Sequence, residues 1–355
     1  MPLPSVLLHD HLDGGLRPAT VLELADDKGY DRLPASSADD LAAWFDQSES
    51  GSLEGYLEAF THTIAVMQDR ESLERVAFEA GVDLFVDGVV YAELRFCPAL
   101  HSQEGLTHSE VITAVGSGLA AASAETGIEW GMIIDSLRHI HDSAALSRVA
   151  VSHQADGVVA FDLAGPEAGY PPDAHMAACR FARESGLRLT IHAGESGREN
   201  GVAYMASAMD RCGAERLGHG VEIIDDCVVE DGEIAKLGQV AERIRSRRIP
   251  LEICPSSNLA TGGLTAEAHP VGMLHRAGFN VTLSTDNRLM SNTSMSGEFD
   301  FVQTHHGFTL DDLALVTWRS LDAAFCSWDL KKKLWEKKIA PEYHDTGAVV
   351  EMEWR

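Results

Sequence analysis

Short apolar runs recur along this 355-residue chain, and most are followed by a stretch long enough to form a helix. The runs fall at 6–11, 90–96, 130–135, 158–163, 187–192, 216–219, 251–254 and 281–284. Amphipathic stretches, such as 175–184 and 231–247, lie between them. Repeated alternation of strand and helix implies parallel pairing through right-handed crossovers. Eight strands fit a closed (β/α)8 TIM barrel, an α/β architecture, better than an open sheet. Such barrels run well past 200 residues as one unit, so a single domain over 1–355 is expected.

One connection is anomalous. Residues 12–89 separate the first run from the second and carry helical patterns at 19–28, 39–45, 53–67 and 71–83. An insertion of that size at a barrel end either encloses a substrate or adds packing, and the pattern leaves both open. Two further helical patterns at 309–332 predict extra C-terminal helices.

The formal net charge is -27, from 55 acidic against 28 basic residues. A field of that sign repels phosphate backbones and anionic membrane surfaces, which argues against nucleic acid and membrane partners. It leaves a small uncharged substrate open. The six cysteines show no Cys-x-x-Cys spacing and read as reduced thiols of a cytoplasmic protein.

Four runs end in ionisable residues, and in a barrel that end is the catalytic face. The first ends His9-Asp10-His11-Leu12-Asp13-Gly14. Two histidines at i and i+2 of a strand point the same way, so both rings can reach one ion. The fifth run ends His192-Ala193-Gly194-Glu195, the sixth leads into Gly218-His219-Gly220, and the eighth closes on Thr285-Asp286-Asn287. A second His-x-His, His139-Ile140-His141, reads as the start of a helix, where i and i+2 diverge. Histidines and a carboxylate gathered at one barrel end suit a borderline-soft divalent cation with a position left for water. The reading at this level is a metal-dependent hydrolase. A His-Glu-x-x-His helix, a His-x-Glu motif combined with Pro-Cys-x-x-Cys, a Gly-rich fingerprint after the first strand and Gly-x-Ser-x-Gly are all absent from the sequence.

Taken together, these segments resemble the motifs of the adenosine deaminase family. The chain carries His9-Asp10-His11-Leu12-Asp13-Gly14, Asp162-Leu163-Ala164-Gly165-Pro166-Glu167 and His192-Ala193-Gly194-Glu195 in family order. Arg216-Leu217-Gly218-His219-Gly220, Cys254-Pro255-Ser256-Ser257-Asn258 and Thr285-Asp286 complete the set. The resemblance implies one Zn²⁺ per chain, with His9, His11, His192 and Asp286 as ligands. It implies that a zinc-activated water attacks C6 of adenosine or 2′-deoxyadenosine while Glu195 protonates N1. His219 and Asp286 would handle the water. Gly165 would meet N3 through its backbone N–H, Asp13 would reach ribose hydroxyls, and His11 would also border the substrate. The products would be inosine or 2′-deoxyinosine and ammonia.

Two details refine the resemblance. Many members carry two aspartates where this chain has Asp286-Asn287, the second being paired with N7 of the purine. N7 only accepts, and an asparagine amide donates at any pH. Asp286-Asn287-Arg288 is similar to the Asp-Asn-Arg of actinobacterial members. Members that take free adenine typically carry His-Ile-Glu-Gly where this sequence has His11-Leu12-Asp13-Gly14, so the shorter carboxylate points to a nucleoside. A related purine such as free adenine, an adenine-bearing menaquinone precursor, or a metal-retaining but inactive binding protein are the alternatives. AMP is disfavoured by the lack of a clear Arg or Lys cluster near the motifs. Oligomeric state is not legible.

Overall fold

The computed structural model describes residues 2–48, 50, 56–196 and 198–349. Eight strands form one parallel sheet: β1 (Ser5–His11), β2 (Val89–Phe96), β3 (Glu129–Leu137), β4 (Val158–Ala164), β5 (Arg188–Ala193), β6 (Arg216–His219), β9 (Pro250–Ile253) and β10 (Asn280–Leu283). The order is β1-β2-β3-β4-β5-β6-β9-β10. The sheet returns on itself just beyond β10. There the His11 N–H donates to the Asp286 carbonyl at 2.7 Å, and the Asp286 N–H donates to the His9 carbonyl at 2.9 Å. Strands covered on both faces must be apolar almost throughout, which is why they stand out in the sequence. All eight expected strands are present within one or two residues of their bounds.

Between the barrel strands run helices whose starts are set by local chemistry. Thr107 and Glu110 form a reciprocal capping box at the head of His108–Thr126, and Thr309 with Asp312 does the same for Leu310–Ala323. The insertion after β1 carries helices Pro18–Lys28, Ala38–Phe45, Phe60–Val66 and Arg70–Val86. Residues 53–55 of the helix expected over 53–67 lie outside the described residues. Beyond Leu310–Ala323, the helices Trp328–Leu334 and Ala340–Asp345 complete the C-terminal extension.

Two expectations are corrected. The stretch 231–247 is not one helix. Its first part closes an antiparallel hairpin of β7 (Cys227–Glu230) and β8 (Glu233–Leu237), and only Gln239–Ser246 is helical. Asp231 and Gly232 at the turn have φ of 52° and 76°, the left-handed pair that a two-residue hairpin turn needs. His139-Ile140-His141 does not open a helix either; it lies in the turn before Ser143–Ser152.

All six cysteines are free thiols, four of them buried. Among the described residues no helix is long and apolar enough to cross a membrane.

Candidate metal centre and active site

The alternation of β1 sends His9 and His11 to the same side of the strand, at the barrel's C-terminal end. His192 comes from the end of β5 and Asp286 from just past β10. Ligand atoms of these four residues all lie within 4.8 Å of one another. The Nε2 atoms of His11 and His192 are 3.2 Å apart, and Asp286 Oδ1 lies 3.3 Å from His9 Nε2 and 3.4 Å from His11 Nε2.

Each imidazole is held from behind by a carboxylate. His9 Nδ1 donates to Glu252 Oε2 at 3.0 Å. Asp135 Oδ2 lies 3.3 Å from His11 Nδ1, and Asp162 Oδ2 lies 2.8 Å from His192 Nδ1. An acceptor behind each Nδ1 puts the ring proton there and leaves Nε2 bare toward the centre, the arrangement that supports metal-ligating histidines. The His9 Nε2 is fully buried and makes no hydrogen bond. An orphaned, inward-facing lone pair among two more imidazoles and a carboxylate fits a borderline-soft cation.

Among the supporting carboxylates, burial pushes the Asp135 carboxyl up to about 6, whereas Asp162 and Glu252 are held charged by Arg95, which joins them from below. Its Nη1 donates to Asp162 at 2.6 Å and its Nη2 to Glu252 at 2.8 Å, with all three side chains fully buried. Burial alone would raise the Glu252 carboxyl, but Arg216 and Arg95 hold it well below the usual carboxylate range. Asp162 is likewise held below that range, against the effect of burial, by His192 and Arg95.

Asp286 and His219 both adopt left-handed backbone, each with φ of 60°. Non-glycine residues reach that region at a cost and cluster at functional sites. Ser257 Oγ donates to Asp286 Oδ2 at 2.5 Å, and the Asn258 amide meets His219 Nδ1 at 3.0 Å. Both come from the helix Pro255–Gly262, whose proline stands in the first turn where no backbone donor is needed. Gly218 is required by proximity: a Cβ there would stand 3.0 Å from the His192 Cα and 3.1 Å from the His9 ring.

Glu195 is buried beside this group, with Oε2 at 3.7 Å from His219 Nε2. Its loop is fixed by Glu167, whose carboxylate accepts from the N–H groups of Gly194, Glu195 and Ser196 at 2.7, 3.0 and 3.0 Å. Burial pushes the Glu195 carboxyl above its ordinary range, and the Asp286 and Glu167 carboxylates add to this against the opposing His219 ring. A carboxyl shifted in that direction keeps its proton to higher pH than an ordinary glutamate, which favours a role as an acid.

A pocket opens over the cluster, lined by His11, Asp13, Gly165, Glu195, His219 and Asn287 among others. Tyr56, Leu57, Phe60 and Ile64 supply apolar wall from the insertion, so that segment encloses the pocket. Asp13 is buried with Oδ1 unpartnered, and its Oδ2 is 3.4 Å from the buried His101. Asn287 packs against Gly14 so closely that a Cβ there would overlap its amide.

The family comparison agrees with this geometry. Residues 4–341 match the sequence profile described as adenosine deaminase. This chain belongs to the adenosine deaminase family. It is 47% identical over 348 residues to an adenosine deaminase of Mycobacterium marinum, covering 96% of this chain and 95% of that protein. It is 46% identical over 358 residues to adenosine deaminase 1 of Streptomyces coelicolor, covering 99% and 89%. Among solved structures, adenine deaminase from Arthrobacter aurescens superposes with a TM-score of 0.84 at 23% identity, covering 97% of this chain and 99% of that one. An amidohydrolase from Burkholderia ambifaria with bound Zn gives 0.85 at 24%, covering 97% and 92%. At such identities these two speak for the fold.

The family motifs thus converge on one end of the barrel. His9, His11, His192 and Asp286 form one group, and Glu195, His219 and Asp286 form another. Asp13, Gly165 and Asn287 line the pocket above them. His139 lies outside both groups but lines the pocket, its ring 3.4 Å from where a Cβ on Gly165 would stand. The motif reading missed the carboxylates Asp135 and Glu252, the linking Arg95, and the parts played by Glu167, Ser257 and Asn258.

Proposed function

We propose that this chain, acting as one domain, hydrolyses adenosine and 2′-deoxyadenosine to the 6-oxo nucleosides and ammonia, using one zinc ion. The observation that carries this reading is the orphaned His9 Nε2, set among two further carboxylate-backed imidazoles and Asp286. Glu195 and His219 stand on the wall of the same pocket. His9, His11, His192 and Asp286 would hold the ion. Zinc suits the nitrogen-rich donor set, and a zinc-bearing structure of the same fold supports that choice. When bound, such an ion lowers the pKa of a water from about 15.7 toward 7 and so supplies a nucleophile at neutral pH.

The remaining residues direct that nucleophile. Glu195, whose burial favours the protonated carboxyl, donates to N1, which draws electron density from C6. His219 and the Asp286 carboxylate orient the incoming oxygen. The Gly165 N–H serves N3, the Asn287 amide donates to N7, and His11 borders the sugar side. Asp13 accepts from a ribose hydroxyl through its unpartnered Oδ1. The water oxygen bonds to C6 as the C6–N bond breaks; one water proton passes to the departing amine, which leaves as ammonia, and the other restores the Glu195 carboxyl that protonated N1.

Adenosine, 2′-deoxyadenosine, adenine and AMP, followed by loss of adenine absorbance and by ammonia release, test this reading. Sites built around a hydroxyl bond discriminate by about 10⁴- to 10⁵-fold against analogues that lack it, so the nucleosides should exceed adenine in kcat/KM by that order. Asp13→Ala should lower kcat/KM for adenosine by about 10- to 100-fold, the cost of one buried partner, and leave any activity on adenine unchanged. Equal losses on both substrates would make Asp13 structural, and a parental preference for adenine would overturn the nucleoside assignment.

The Asn287 contact is tested on the substrate. 7-Deazaadenosine, with C–H in place of N7, should lose about 10- to 100-fold in kcat/KM. Equal values for the two nucleosides would remove Asn287 from the recognition of N7.

A further inference from the structure

A hydrogen-bonded chain reaches His219 from the side away from the metal cluster, and its direction can be read from one end. The Val271 backbone N–H, which can only donate, lies 3.2 Å from His269 Nδ1. His269 Nδ1 is therefore an acceptor, and its ring proton sits on Nε2. That nitrogen is 3.4 Å from Asn258 Oδ1, which accepts. The other end of the same amide is then a donor, and it lies 3.0 Å from His219 Nδ1. Asn258, His269 and His219 are each 1% exposed, so no bulk water competes for these groups. Reversing any link would set donor against donor in buried surroundings.

We propose that Asn258 and His269 are positioning residues that lock His219 in one tautomer, with Nδ1 bare and the Nε2–H aimed into the pocket. His219 thus meets the reacting oxygen as a hydrogen-bond donor. Burial supports the direction of the chain by pushing His269 down to about 3, with His306 and His219 adding to the effect, so its ring stays neutral. The inference rests on the proposed role of His219 only for its effect on turnover; the tautomer itself is a property of the folded protein.

Nitrogen NMR of the zinc-loaded, ¹⁵N-histidine-labelled enzyme reads the tautomer directly, with His219→Gln identifying the resonances. Nδ1 should be of the bare, pyridine type and Nε2 of the protonated, pyrrole type. Asn258→Asp presents only an acceptor at pH 8, so Nδ1 should become pyrrole-type. Metal content should be unchanged, and kcat should fall about 10²- to 10³-fold, the usual loss for one preorganised donor, with KM moving less. His269→Gln keeps a donor toward Asn258 and should retain more kcat than His269→Leu. A pyrrole-type Nδ1 in the unaltered enzyme, or an unchanged signature in Asn258→Asp, overturns the inference. If the signatures behave as expected while His219→Gln turns over at the parental rate, the lock stands and the catalytic reading of His219 falls.

Discussion

Replacing His192 with alanine should remove the metal and the turnover together and leave a folded barrel. Its Nε2 is 3.2 Å from that of His11, at the centre of the cluster, so its loss leaves two imidazoles and one carboxylate. Without the ion no nucleophile forms at neutral pH, and turnover should drop to background. The fold survives because Asp162, which loses its imidazole partner, keeps the Arg95 guanidinium at 2.6 Å. No charge is left buried and unpaired, the situation that makes such deletions strongly destabilising. Elemental analysis and thermal unfolding separate the two effects. Parental metal content in the variant, or two ions per chain in the unaltered protein, would refute the proposed ligand set. His139→Ala is the control: it lies in the pocket wall outside the cluster and should keep its metal.

Glu195→Gln should keep both metal and fold and lose about 10²- to 10⁴-fold in kcat, the span of a general acid. Glutamine matches the volume, and the loop around it is held by the Glu167 carboxylate through three backbone N–H groups, none of which the substitution touches. What the amide lacks is a transferable proton. The pH dependence follows from the sign of the shift. Burial raises the Glu195 carboxyl, so its acidic form persists to higher pH than that of an ordinary glutamate, and kcat should fall as pH climbs through the raised pKa. That descending limb should be missing from the residual rate of the variant. Near-parental kcat in Glu195→Gln would assign the acid elsewhere.

Much of the fold was legible because parallel barrel strands have no solvent face and must be apolar. The segment 227–237 was not, because a hairpin outside the barrel keeps exposed positions. Val228 and Val229 are exposed, and the polar residues of β8 continue smoothly into the amphipathic helix that follows. The Asp231-Gly232 turn was the available signal. At the site, the proposed ligands and acid stood at strand ends where a linear reading could find them. Their supports did not. Glu252 lies inside the short apolar strand β9 and Asp135 within β3, and their partners are 243 and 124 positions away along the chain. The clue was cost: a carboxylate inside an apolar strand is expensive unless something pairs with it. The sequence could show that a partner was needed and could not say which.

The barrel's seam has a consequence for the order in which the protein is built. His9 and His11 belong to the barrel's first strand to leave the ribosome, and Asp286 follows its last. The two edges are joined there by the paired backbones of His9, His11 and Asp286, and by the Asp10 carboxylate, which accepts from Thr285 and Arg288 at 2.7 and 2.9 Å. Residues that bind at this point also stitch the ends of the cylinder together, so a ligand set split across the seam cannot exist on any partial barrel. Long-range closure of this kind comes late, because chain entropy must be overcome before the contacts reward it. An ion held here would act as a clasp on a finished object, selecting chains whose final strand has docked and offering nothing to those still in assembly.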